Sequence, residues 1–202
     1  MVDISDLGAW HFQYGLKRIK DSFLIAIEAM NAGEVKARAD QAAYLKIYPY
    51  ESAGDADEPN AADVRFELQA ATIEARMAAQ IVREAFVTSA FHFWERSVTL
   101  WAKNTKLRNF SELEKAASNL GYSPHPDLSV LNSLNNLLKH NNPDRGDEVF
   151  KRRADLFKWQ RKPRNNDDWR DAIKFSDESV LEFFEIVRLS GPEPVGWSDA
   201  LH

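Results

Sequence analysis

Between Asp63 and Lys103 the chain contains no glycine and no proline. Strands seldom run beyond about ten residues, so an uninterrupted stretch of this length reads as one long helix. The apolar spacing agrees. At about 100° per residue, Val87, Phe91, Trp94, Val98 and Trp101 form one stripe, and Phe86, Ala90, Phe93, Ser97 and Leu100 form the adjacent one. Together they cover about half the cylinder, more than a surface helix needs, so this helix must be wedged between at least two others. It is the expected central pillar of an all-α fold.

The flanking segments carry the same period. Phe12, Leu16, Ile19, Phe23, Ile27 and Met30 predict an amphipathic helix over roughly residues 5–30. "GEVKARADQAAYLKIY" predicts a second, weaker one that stops before Pro49. The acidic stretch 51–63, with Gly54 and Pro59, reads as an exposed loop. Ser111 and Glu114 are spaced as a capping box for a short helix ending at Gly121. Asp127 is placed to cap a helix from Leu128 to His140, stopped by Asn141, Asn142 and Pro143. Ser176 opens a last helix that runs toward Gly191. No strand or repeat is expected. The organisation is a single all-helical domain: residues 1–50 as an N-terminal helical region, 51–63 as the loop, 64–190 as the core and 191–202 as a tail.

Composition narrows the chemistry. The 202 residues include no cysteine, which excludes disulfides, thiolate metal sites and cysteine nucleophiles. The N-terminus lacks the basic and apolar regions of a secretory signal, and no run approaches the roughly 18 apolar residues of a membrane span. A cytoplasmic protein with no membrane contact is expected. With 8 glycines, no glycine-rich phosphate loop and no nucleophile elbow, a nucleotide-dependent or serine-hydrolase enzyme is not expected, nor is a cofactor.

The formal charge of −5 conceals a segregation. Residues 51–63 carry five acids and no base, whereas 151–164, "KRRADLFKWQRKPR", carry seven bases and one acid, a balance of 7 − 1 = +6. A local field of that kind can attract a polyanion although the whole chain is acidic. Trp159 lies inside the run and has the flat face on which a base can stack.

The helix ending at His140 holds the most unusual pattern. Leu131, Leu134 and Leu138 define its buried side, and Ser129, Ser133, Asn136 and His140 its other side, without the Lys and Glu of a solvated face. Three functions are open to His140: a packed helix-end residue, a metal ligand, or a proton carrier near neutral pH. No second ligand stands at metal spacing on this helix. On the long helix, Thr88, His92, Glu95 and Thr99 form a polar stripe in which His92 and Glu95, three apart, are neighbours.

Two short motifs, "FHFWE" ending at Glu95 and "NNLLKHNN" with Asn136, Lys139 and His140, resemble those of the HEPN family, all-helical RNase domains of prokaryotic defence and toxin–antitoxin systems. The order and spacing are similar over roughly residues 60–190. The resemblance implies an elongated HEPN-like helical bundle around one long central helix, and a homodimer acting on RNA without a metal ion, with an antitoxin as a partner protein. His140 would be the general acid/base, Asn136 and Lys139 would contact phosphate or sugar, and Glu95 would orient. Arg145, Lys151, Arg152, Arg153, Trp159 and Arg161 would hold the nucleic acid.

The sequence departs from the family at one point. The motif arginine belongs five, six or seven residues before the histidine, and Asn135, Leu134 and Ser133 stand there instead. Loss of one such electrostatic group commonly costs about 3 kcal/mol of transition-state stabilisation, so a catalytically weakened relative fits the residues too. A helical protein-interaction module, in which the polar stripe only packs against a partner helix, is the alternative from another class.

Overall fold

A computed structural model describes residues 4–49, 61–164 and 168–194. Among them are seven α-helices and two 3-10 turns, with no strand beyond an isolated bridge between Phe157 and Ile173. The helices are α1 (Ile4–Ile47), α2 (Ala61–Trp101), α3 (Phe110–Asn119), α4 (Leu128–His140), α5 (Pro143–Arg152), α6 (Trp169–Ala172) and α7 (Asp177–Leu189). The all-α expectation holds. The acidic residues 51–60 and the tail from residue 195 lie outside the described residues.

The two N-terminal helices expected from the sequence are one. α1 runs 44 residues and passes through Gly33 without a break. One glycine inside a helix costs only about 1 kcal/mol, and the turns beyond it stay tied to α2 by Gln41–Thr72 (3.3 Å) and Glu34–Arg76 (3.4 Å). A Cβ at Gly33 would meet nothing within 4 Å. Gly33→Ala should therefore stabilise the protein by about 1 kcal/mol, read as a raised urea midpoint. An unchanged or lower midpoint would count against a continuous, solvent-facing helix there.

The chain divides into two compact units, and the division cuts both long helices. Phe23–Val82 is an antiparallel helix pair whose fully buried side chains are few, among them Phe23, Ile27, Thr72 and Ala79. The other unit, Met1–Ser22 with Arg83–His202, holds a core built from all its long elements. Phe12 and Leu16 come from α1, Val87, Phe91, Trp94 and Val98 from α2, Leu131 and Leu134 from α4, and Val180, Phe183 and Val187 from α7. The second expected stripe of α2 is interrupted: Ala90 and Ser97 are buried, but Leu100 is exposed, because the helix ends one residue later and its last turn has lost cover on that side. The Trp94 indole donates to the Ser190 carbonyl at 2.9 Å. Next to it, Gly191 passes so close to Phe12 that a Cβ would lie 2.1 Å from the ring, so no other residue fits.

The caps show where local signals meet tertiary ones. α3 starts at Asn109, whose side chain accepts from the Glu112 amide at 3.0 Å, rather than at Ser111. Starting there brings Phe110 against Phe91 and Trp94, with ring centroids 6.3 and 5.9 Å apart. α3 does end as expected, with Gly121 at φ +87 and the Tyr122 amide bonded back to Ala117. Asp127 occupies the position before α4, but its carboxylate makes no cap and accepts from Arg152 instead. Ser176 caps α7 in a reciprocal pair with Ser179.

Candidate functional site

α4 positions the residues singled out in the sequence. Its apolar side is buried as expected at Leu131, Leu134 and Leu138. Ser133 is buried too and donates to Glu148 of α5 at 2.7 Å, while Ser129 accepts from Arg152 at 2.7 Å. The uncharged stripe is thus not one open face. α5 covers its first half, because Asn142 caps α5 immediately after α4 and Pro143 turns the chain back along it. Only Asn136 and His140 remain of the stripe outside that contact.

The three positions at which the motif arginine would stand are all interior. Leu134 is fully buried, Asn135 is 3% exposed with its amide oxygen unpartnered, and Ser133 is engaged by Glu148. A long cation at Leu134 or Asn135 could not reach solvent without displacing core.

The residue before His140 in sequence is a cation held by a second helix. Lys139 contacts His92 of α2, with Nζ 2.7 Å from Nε2, and His92 Nδ1 stands 2.5 Å from a Glu95 carboxylate oxygen. A carboxylate accepts and an ammonium donates, so both contacts are satisfied together by the tautomer in which Nδ1 donates to Glu95 and Nε2 accepts from Lys139. Glu95 also anchors its own turn, its carbonyl accepting from Thr99 at 2.9 Å. Glu95 and Lys139 are thus joined across two helices through a residue that sequence reading paired with Glu95 but assigned no role. The His92–Glu95 spacing was a legible signal, but a sequence separation of 47 between His92 and Lys139 hid the third member.

On α4, Asn136, Lys139 and His140 are spaced i, i+3 and i+4 and so share a face. His140 is exposed and makes no hydrogen bond among the described residues. Asn136 is half-buried and donates to the Asn132 carbonyl at 3.0 Å, leaving its own oxygen to accept. Asn141, left-handed at φ 47, closes the helix and accepts from the Arg170 amide at 3.1 Å.

The basic run is mostly bound within the chain. Lys151 and Lys162 both hold Asp147, and their hydrogen bonds keep its carboxyl below the usual carboxylate range. Arg152 binds Asp127 and Ser129. Arg153 is 16% exposed, binds Asp155 and Glu182 at 2.9 Å each and lies 5.3 Å from the Phe183 ring centre. Lys158 donates to the Asp171 carbonyl. Arg145 pairs with Glu148 at 2.8 Å. Arg161 is exposed and its guanidinium has no partner among the described residues, and the Trp159 side chain lies outside what the structure describes. The charge excess seen in sequence is offset by Asp155, by Asp127 ahead of α4, by Asp147 of α5 and by Glu182 of α7. Arg153→Ala should cost about 1–2 kcal/mol of stability through lost charge-assisted hydrogen bonds and stem packing, measurable by urea unfolding. A cost near zero would make Arg153 ordinary surface.

Hydrogen bonds from Arg145 and Ser133 hold the Glu148 carboxyl below its ordinary range. A group depressed in the folded state contributes stability above its unfolded value and loses it as pH falls through the folded one. The clasp between α4 and α5 should accordingly persist through the ordinary glutamate range and open only under stronger acid. A carbon-detected NMR titration in which Glu148 protonates at the ordinary position would contradict this.

No helix among the described residues is long and apolar enough to cross a membrane. No family model, curated protein or solved structure matches the chain.

Proposed function

We propose that this chain is an HEPN-like, RNA-directed protein of prokaryotic defence or toxin–antitoxin type, cleaving RNA without a metal ion or descended from one that did. The observation that carries this is the Glu95–His92–Lys139 chain, which fixes a cation one residue from an exposed histidine. Lys139 takes the electrostatic role of the absent arginine, and Glu95 and His92 are positioning residues that hold it. His140 accepts the proton of a ribose 2′-hydroxyl as that oxygen bonds to phosphorus. The P–O5′ bond breaks, Lys139 stabilises the charge on the phosphoryl oxygens, and water protonates the leaving 5′ oxygen. Asn136 accepts from a sugar hydroxyl. Pairing of two 23.1 kDa chains is confined to the Asn136–His140 end, since α5 covers Ser129 and Ser133. The test is product chemistry: RNA incubated in EDTA should yield 2′,3′-cyclic phosphate and 5′-hydroxyl ends, while a substrate with a 2′-deoxy sugar at the scissile position stays intact. Cleavage of the deoxy substrate would overturn the scheme.

A non-catalytic interaction module is favoured by one observation, the internal pairing of Lys151, Arg152, Arg153, Lys158 and Lys162. Absence of RNA binding at low salt would give that function precedence.

A further inference from the structure

We infer that the outer face of α2 in the Phe23–Val82 unit is a docking surface for a basic amphipathic helix of a partner protein. Phe66, Ile73, Met77 and Ile81 are 73, 47, 59 and 60% exposed. At 100° per residue they fall within an arc of about 80°, roughly 150° round from Thr72 and Ala79, which face α1. This half of α2 is apolar on two opposite sides, and α1 covers one of them. A helix patterned that way is built to lie between two others.

Charge selects the occupant. Asp63, Glu67 and Glu74 are exposed, stand along one edge of the apolar row, and make no ion pair among the described residues. The other edge carries Gln69 and Gln80 and no acid, and the cation beyond them, Arg76, is paired with Glu34 of α1 at 3.4 Å. Were a second copy to pack antiparallel on this row, the acidic edges would meet each other, an arrangement that like charges disfavour. A helix presenting Leu or Ile at i, i+4, i+7 and i+11 with Lys or Arg along one edge meets both features: its apolar row covers Phe66 to Ile81, and its cations pair with the three carboxylates. The surface is separate from the Glu95–His92–Lys139 cluster and does not depend on RNA cleavage.

The experiment titrates the full chain into two labelled synthetic peptides, an amphipathic Leu-row helix edged with Lys and its twin edged with Glu, and reads fluorescence anisotropy. The Lys peptide should bind at least tenfold more tightly than the Glu peptide. Glu67→Lys with Glu74→Lys should invert that order, and Ile73→Ser with Met77→Ser should abolish binding of both. All four side chains are exposed, so the fold survives these changes, which circular dichroism verifies. Failure of both peptides to bind overturns the inference, as does equal affinity or binding unaffected by Ile73→Ser with Met77→Ser. So does a dimer in light scattering that Met77→Lys converts to monomer, since the occupant would then be a second copy.

Discussion

Trp94→Ala should destabilise the protein by about 3–5 kcal/mol, enough to unfold much of the population near physiological temperature. The side chain is fully buried among Phe91 of α2, Phe110 of α3 and Ser190 at the end of α7, so truncation leaves a cavity that helix backbones cannot collapse to fill. It also orphans the Ser190 carbonyl, which the indole satisfies at 2.9 Å. Trp94→Phe separates the two effects: it keeps most of the volume, loses the hydrogen bond and should cost about 1–3 kcal/mol. Urea unfolding followed by circular dichroism reads both. A loss under about 1 kcal/mol for the alanine variant would mean that Trp94 is not at the centre of the core.

For the chemistry, His140→Ala should lower RNA cleavage by about 10²–10⁴-fold, the usual contribution of a positioned general acid or base. Lys139→Ala should lower it about 10²–10³-fold if, as proposed, its cation faces the developing phosphorane charge. Lys139→Arg should recover part of that loss, since the guanidinium keeps the charge but cannot reproduce a single ammonium contact to His92. Glu95→Ala and His92→Ala should act through kcat rather than KM, because they misplace Lys139 without removing a substrate contact. Rapid-quench kinetics on one defined RNA distinguishes these patterns, and equal losses in KM alone for all four variants would reduce the cluster to a binding patch.

What could be read from the sequence is what depends on local chemistry. The 3.6 period marked α2 and α4, and Pro49, Gly121 and Ser176 punctuated the chain where the helices stop and start. What could not be read involves residues distant in sequence. Gly33 has the look of a boundary, but the contacts beyond it carry α1 through. Asp127 has the chemistry of a cap, but Arg152, 25 residues away, engages it. The seven bases of 151–164 look like a free positive surface until Asp127, Asp147 and Glu182 are found beside them. The candidate site divides in the same way. His140 and the His92–Glu95 pair were legible from spacing, while the bond from Lys139 to His92 and the burial of Ser133, Leu134 and Asn135 belong to the folded chain.

In the proposed function α4 and α2 together hold a proton-transfer and charge-stabilising site for RNA. The decisive experiment incubates the purified protein and its His140→Ala variant with total RNA in excess EDTA. The native protein should fragment the RNA, fragmentation should persist with EDTA, and the variant should lose at least about a hundredfold in rate while retaining its circular dichroism spectrum. Fragmentation by the variant at the native rate would contradict that function, since the exposed imidazole would then take no part in the chemistry.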